Sequence, residues 1–429
     1  MKSPIAVFMK FKYGFPLLFL VLGFISCATK NNNSSDQFLE TQNELTAKLN
    51  ELSKTCSFNG FGVALVNDHQ VLYQNGFGIA NVATAEKYTG NTIQNIASVS
   101  KTFVGIAVLK AQELGKLKLD DPIDQYLPFK VINPKFPTDK ITIRQLVTHT
   151  SSILDNVEYL HRAWILNDTI NLASNLKLDI GECRFSAPST AVSMETFLER
   201  VLSTNGEWFR ADAFSAHQPG KIFSYSNMGT TLAALVVEKA TGTKFDAFTE
   251  KYILEPLKMD DTGWGLTAID MKKHSRLYIN KTTPYPFYYG ITYPDGSIIT
   301  SSNDMSKYIC ELMKGYFGNG TLLNQNSYKE YFTPQLKAEN FIERSTSEYS
   351  DEYNMGIMMG FGSTGNFGHT GGDPGMFSVI WFDKNSRIGR YFIINTDWVD
   401  KESGKNQKAI YDLLDQFATR LDSLSKIKS

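Results

Sequence analysis

Two pairs of strand-like segments stand at opposite ends of this chain, and the long stretch between them reads as helical. Near one end, Phe61 to Val66 and Val71 to Tyr73 are apolar runs split by Asn67-Asp68-His69-Gln70, which is a hairpin pattern. Near the other, Met376 to Phe382 and Ile388 to Asn395 flank the turn Asp383-Lys384-Asn385-Ser386-Arg387. Strands so far apart in sequence bury their apolar faces together by forming one antiparallel sheet assembled from both chain termini. The expected fold is therefore α/β in content and of the α+β type: an antiparallel sheet flanked by helices, with an inserted, mainly helical lobe at about 100–285. At 429 residues and 42% hydrophobic content, the chain can bury one large core or two smaller ones.

Helical periodicity fills the remainder. Phe38, Leu45, Leu49 and Leu52 place a helix over Gln37 to Leu52. From Ser98 the apolar residues Phe103, Ile106, Ala107 and Leu109 recur at helical spacing towards Leu114, with Gly115 as a stop. Further helices are expected over Thr142 to Thr148, Ser193 to Leu202, Asn227 to Ala240, Lys244 to Leu254, Asn303 to Gly315 and Asn406 to Leu424. The stretch from about Asp155 to His217 has weak periodicity and contains Trp164 and Trp208; it reads either as a lid or pocket wall, or as plain helical packing.

The first 27 residues are not counted in that fold. Lys2, Lys10 and Lys12 precede an apolar stretch, Phe15 to Ile25, of the length of a signal-peptide core and too short for a membrane span. It ends in Phe24-Ile25-Ser26-Cys27, which resembles a bacterial lipobox with Phe where Leu is usual. That predicts a lipid anchor on Cys27, a polar tether over 28–36 and a domain over 37–425 in the cell envelope; an ordinary cleaved secretion signal is the alternative. Lipidation would leave Cys56, Cys183 and Cys310 for at most one disulfide. A formal net charge of -1 with no long basic run gives no footprint for nucleic acid. Six scattered histidines and no Cys-x-x-Cys pattern argue for a reaction with no metal and no cofactor.

Chemistry enters with Ser98-Val99-Ser100-Lys101. Residues three apart on a helix share a face, so hydroxyl and amine can hydrogen-bond. A serine is a poor nucleophile without a base, and Lys101 can serve if burial depresses its pKa. The spacing alone means little, because Ser423 to Lys426 and Ser425 to Lys428 repeat it, as exposed-face accidents. Tyr-x-Asn likewise occurs at Tyr73, Tyr225 and Tyr278. Context selects Tyr225-Ser226-Asn227, which follows Pro219-Gly220 and opens an apolar helix, where Ser226 or Asn227 could equally be a cap. A phenol near Lys101 could relay a proton to a leaving group, and the Asn227 amide could orient Lys101 or hold substrate. His369-Thr370-Gly371-Gly372 precedes the last strand pair; its glycines would let a substrate lie against the strand edge, or it is simply a glycine-rich turn.

In that order the three segments resemble the motifs of serine beta-lactamases and penicillin-binding proteins. The Tyr-x-Asn form looks like the branch holding class C beta-lactamases, D-Ala-D-Ala carboxypeptidases, D-amino-acid peptidases and related esterases. Ile141 to Ser151, Leu254 to Met259 and Gly368 to Gly375 are similar to family segments too, so the resemblance spans roughly 55–420. It implies a beta-lactamase/transpeptidase-like fold with Ser98 as nucleophile and Lys101 and Tyr225 as proton-transfer groups. Asn227, His369 and Thr370 would be substrate-side groups, and the N–H groups of Ser98 and Gly372 oxyanion donors.

Two departures qualify it. His369 stands where class C beta-lactamases have Lys, so a substrate carboxylate would be held less firmly. The separation of Ser98 from Tyr225 is also long for the family. The expected activity is a serine hydrolase of D-Ala-D-Ala carboxypeptidase, D-amino-acid peptidase or esterase kind, acting on a small peptide or ester. The alternatives are a beta-lactamase, or a non-hydrolytic penicillin-binding-like recognition or scaffold protein.

Overall fold

The computed structural model describes residues 34–167, 179–180, 183–343, 354–362, 365–398 and 401–427. The signal segment, Cys27 and most of the tether lie outside them, as does the side chain of Cys183. The first helix, Ser34–Ser53, begins inside the segment read as tether.

One antiparallel sheet of eight strands organises the molecule. Its spatial order is 354–355, 360–361, 366–373, 376–383, 388–394, 60–67, 71–81 and 86–87, so the two ends of the chain meet where Phe61 pairs with Ile394 and Val63 with Phe392. Alternation along these central strands builds two cores. Phe61, Val63, Leu65, Phe392 and Ile394 point to the outer face, where Leu45 and Leu49 of the first helix and Ile410, Leu414, Phe417 and Leu421 of the last helix, Lys401–Ile427, cover them. Ala64, Val66, Ile380, Tyr391 and Ile393 point to the inner face and join the larger core of the helical region. Ser425 belongs to this packing: it is buried, accepts from Asn67 and is not the exposed residue expected from its helix face.

Between the two halves of the sheet lie helices whose ends are written in the sequence. Thr142 and Gln145 form a reciprocal capping box for Ile143–Val147, Ser193 caps Met194–Leu202, and Ser301 caps Ser302–Tyr316. The helix Asn227–Thr241 is buried all round from Met228 to Glu238 and stops at Gly242, whose φ of 69° suits glycine. Lys244 to Leu254 starts α-helical at Phe245 and passes into a π-helical turn over Glu250–Leu254. Two small sheets complete the lobe, one joining 93–95, 298–301 and 263–264, the other containing the parallel pair 164–166 and 183–186.

The described residues of the Asp155 to His217 stretch pack into this lobe, while 168–178 and 181–182 lie outside the described residues. Tyr159, Trp164 and Phe197 are buried, and Trp208 is stacked by Arg162 and Arg200. Tyr73 and Tyr278, the other two Tyr-x-Asn tyrosines, are core residues, bonded to Thr46 and to the Val82 N–H. Cys56 and Cys310 are free and buried, and burial pushes their thiols up to about 12 and about 11.

Candidate active site

The strand Ile93–Asn95 delivers the chain to the nucleophile. It pairs with 299–301, and the Ile96 N–H continues the ladder onto the Ile298 carbonyl. Ala97 then takes a left-handed φ of 48°, a conformation costing a residue with a Cβ on the order of 1 kcal/mol. The backbone turns there into a 3₁₀ turn, Ala97–Ser100, that leads directly into the helix Lys101–Glu113. Ser98 is consequently half-exposed at the head of a buried helix, while Lys101, one turn on, is fully buried.

The Lys101 amine donates to Ser98 Oγ at 2.9 Å and to the Asp295 carbonyl at 2.5 Å. It also lies 5.2 Å from the centre of the Tyr225 ring, and Tyr225 lines the same cleft as Ser98, whose hydroxyl partly offsets the rise in the phenol's pKa. The serine, the amine and the phenol thus gather in one cleft, although Tyr225 stands 127 positions after Ser98 in sequence. Burial pushes the Lys101 ammonium down, opposed by the charges of Asp295, Asp155 and Asp373. Burial pushes the Tyr225 phenol up, and those same three carboxyls push it in the same direction. The Lys101 amine is thus easier, and the Tyr225 phenol harder, to deprotonate than in water.

Ser98, Tyr225, His369, Thr370 and Gly372 line one open cleft of about 540 Å³, continued by Phe367 and Trp381. Its wall is the strand Asn366–Asp373, and Gly371 is where that strand crosses the nucleophile turn. A Cβ there would lie 2.9 Å from the Ser98 nitrogen, 2.7 Å from Ser378 Oγ and closer still to the Ile96 carbonyl. At Gly372 a Cβ would meet nothing within 4 Å, so this residue opens onto the cleft. The partly exposed His369 has its Nδ1 2.6 Å from the Thr370 carbonyl. Desolvation, then the Lys101 charge, push its imidazolium down to about 4, so the ring is neutral near pH 7. No Lys or Arg is among the described residues that line the cleft.

Asn227 has a protein partner of its own: its side-chain amide donates to Asp155 at 2.8 Å, while the bonds of Lys101 go to Ser98 and Asp295. Ser226 is the cap of the helix, accepting from the Gly229 N–H at 2.9 Å. Four groups that sequence reasoning left unassigned surround the triad: His149, Asp155, Asp295 and Asp373. Asp295 accepts from Tyr159 and Thr231, both at 3.1 Å, and burial raises its carboxyl to about 6 despite the opposing Lys101 charge. Burial and the neighbouring Asp295 raise Asp373 well above the carboxylate range. His149 and Asp155 lie in or beside the Ile141 to Ser151 segment, which was the available signal.

Comparison with known proteins agrees with this geometry. A sequence model of the family described as Beta-lactamase matches residues 45–414. Penicillin-binding protein 4* of Bacillus subtilis is 24% identical over 303 residues, 69% of this chain and 56% of that protein. Protein flp of Staphylococcus aureus strain MW2 is 25% identical over 254 residues, 58% of this chain and 44% of that protein. The chain thus spans about half the length of these curated relatives. The octameric penicillin-binding protein homologue from Pyrococcus abyssi has a TM-score of 0.64 at 22% identity, covering 87% of this chain and 77% of that one. The D-alanine carboxypeptidase AmpC from Burkholderia cenocepacia has a TM-score of 0.61 at 19% identity, covering 89% and 99%. These structures share the fold. A family match running from the first helix of the domain to the last places this chain in the beta-lactamase family of serine hydrolases and penicillin-binding proteins.

Proposed function

We propose that this protein is an acyl hydrolase that works through an ester on Ser98 and cleaves peptide or ester bonds, with D-alanine-type peptides and short acyl esters as its substrate class. The observation that carries this reading is the 2.9 Å bond from the buried Lys101 amine to Ser98 Oγ, with the Tyr225 ring beside that amine in the same cleft.

In the first step the neutral Lys101 amine takes the Ser98 proton as Oγ bonds to the substrate carbonyl carbon. The carbonyl oxygen gathers the negative charge, and the N–H groups of Ser98 and Gly372 are the donors to receive it; one such donor is typically worth about 10²- to 10³-fold. Collapse breaks the bond to the leaving nitrogen or oxygen. The proton held on Lys101 reaches that atom through Tyr225, which gives up its own proton as it receives another, a transfer worth roughly 10²- to 10⁴-fold. Water then attacks the acyl-enzyme, Lys101 takes its proton, and the acid leaves as Ser98 is regenerated. Because Tyr225 holds its proton tightly, the base is Lys101 and the phenol is the relay.

A neutral His369 grips a free carboxylate weakly, which favours substrates without one, short acyl esters first, over efficient beta-lactam turnover. The lipobox-like Phe24 to Cys27 supports attachment to a membrane of the cell envelope through Cys27. Incubation with a fluorophosphonate and with a labelled penicillin tests the central claim. The expected result is a covalent mass increase on Ser98 that is lost in Ser98→Ala; no adduct with either probe overturns the reading. A panel of D-Ala-terminated peptides, acyl esters and beta-lactams then ranks substrates.

A further inference from the structure

Between the helix Ile143–Val147 and Asp155 runs a loop that takes no part in the chemistry just described, yet most of what holds Tyr225 in place comes from it. Two of its residues, His149 and Ser152, have left-handed φ values of 57° and 68°. Each strained residue costs on the order of 1 kcal/mol and persists only where its surroundings demand it. The first turn places His149 against the second motif in three ways. Its carbonyl accepts from the Ser224 N–H at 2.8 Å, its ring Nδ1 accepts from the Ser226 N–H at 3.2 Å, and its ring lies 4.5 Å from the Tyr225 ring at 33°. The residues on either side of Tyr225 and the phenol ring itself are thus all braced by one histidine.

Asp155 holds the next stretch. Its carboxylate accepts from the backbone N–H of Asn227 at 2.9 Å, the backbone N–H of Met228 at 2.9 Å and the Asn227 side-chain amide at 2.8 Å, with Ser226 Oγ at 3.4 Å. A carboxylate on the first turn of a helix is favourable by the helix dipole as well as by these bonds. It fixes where the helix Asn227–Thr241 starts, and so where Tyr225 stands.

We propose that His149 and Asp155 are positioning residues that form a two-point clamp on Tyr225-Ser226-Asn227, holding the phenol beside Ser98. Core filling does not account for the histidine. His149 is 1% exposed and its Nε2 has no protein partner among the described residues, so an apolar ring would pack there with one fewer unpaired polar atom. What the imidazole adds is the Nδ1 acceptor for Ser226. This inference rests on the hydrolase reading for its rate measurements and on geometry alone for its structure.

The test uses His149→Phe, which keeps a ring and removes the acceptor, and Asp155→Asn, which keeps shape and removes the charge. Each is made alone and in a Tyr225→Phe background. Because misplacing a reacting group by about 1 Å can cost 10²-fold, acylation of Ser98 by the penicillin is expected to slow by roughly 10- to 100-fold in each single variant. In the Tyr225→Phe background the same changes are expected to add less than about 3-fold, since there is no phenol left to position. Wild-type acylation in both single variants overturns the clamp, and so does a full further loss in the Tyr225→Phe background. If His149→Phe fails to fold, Asp155→Asn carries the test by the same criteria. If wild-type protein takes up no probe, the hydrolase reading fails, and the clamp is decided by a crystal structure of Asp155→Asn. A phenol oxygen displaced from Ser98 supports it; an unmoved one overturns it.

Discussion

Asp295 supplies Lys101 with both a carbonyl acceptor and a nearby negative charge, and that carboxyl carries a cost. Its pKa in the folded protein, about 6, lies above the ordinary value of about 3.9 for an unfolded chain. Between those two values the folded state binds more protons than the unfolded state, so stability falls as pH rises through this window. The contribution is least unfavourable below about pH 4 and is fully unfavourable, on the order of 3 kcal/mol, above about pH 6. Asp295→Asn is therefore expected to raise the melting temperature increasingly from about pH 4 to pH 6 and by a constant amount above that, and parallel melting curves for the two proteins between pH 4 and pH 6 would refute the assignment. The same substitution removes the charge that most strongly opposes deprotonation of Lys101. The acid limb of the rate profile is expected to move to lower pH, read from ester hydrolysis between pH 5 and 9.

At the scale of elements, the reaction centre depends on how closely one strand can approach one turn. Asn366–Asp373 reaches the nucleophile turn only because Gly371 has no side chain, whereas Gly372 beside it faces open space. Gly371→Ala is expected to reduce acylation by about 10²-fold, and Gly372→Ala, which retains its N–H, to stay within a few-fold. Equal losses in the two variants would show that the close approach is not what matters. This level also separates what the sequence could disclose from what it could not. Ser98, Lys101, Tyr225 and His369 were legible because each sits in a local pattern whose order along the chain could be checked. The bond of the Asn227 amide to Asp155, 72 residues earlier, was not legible, because no local spacing encodes such a pairing. Asp295 arrives through packing of a segment with weak periodicity, and Asp373, although inside the Gly368 to Gly375 segment, meets Asp295 and Lys101 only through the fold. Strands of two or three residues, such as Glu86–Lys87 and Trp164–Leu166, are too short to show an alternation at all.

For the molecule as a whole, the main sheet and the long helices were legible because they alternate or repeat over many residues. The boundary of the domain was not, since polar residues at Ser34 to Asp36 continue a helix whose apolar stripe starts later. Among the described residues no helix is long and apolar enough to cross a membrane. The proposed attachment through Cys27 is open to a direct test. Cys27→Ser in the full chain is expected to release the protein from membranes on fractionation, while protein lacking residues 1–27 acylates at the wild-type rate. Continued membrane association of the Cys27→Ser protein would exclude the anchor.

The pairing of Phe61 with Ile394 has a consequence for how such a chain comes to exist. A ribosome must deliver nearly all of the polypeptide before strand 60–67 can gain its partner from the far end, and until then that strand keeps one raw hydrogen-bonding edge. Closure across so long a loop comes late and slowly, so an emerging chain remains extended and sticky for most of its synthesis. The cleft beside Ser98 shares this dependence, because its wall is the strand Asn366–Asp373 from the same far end of the chain.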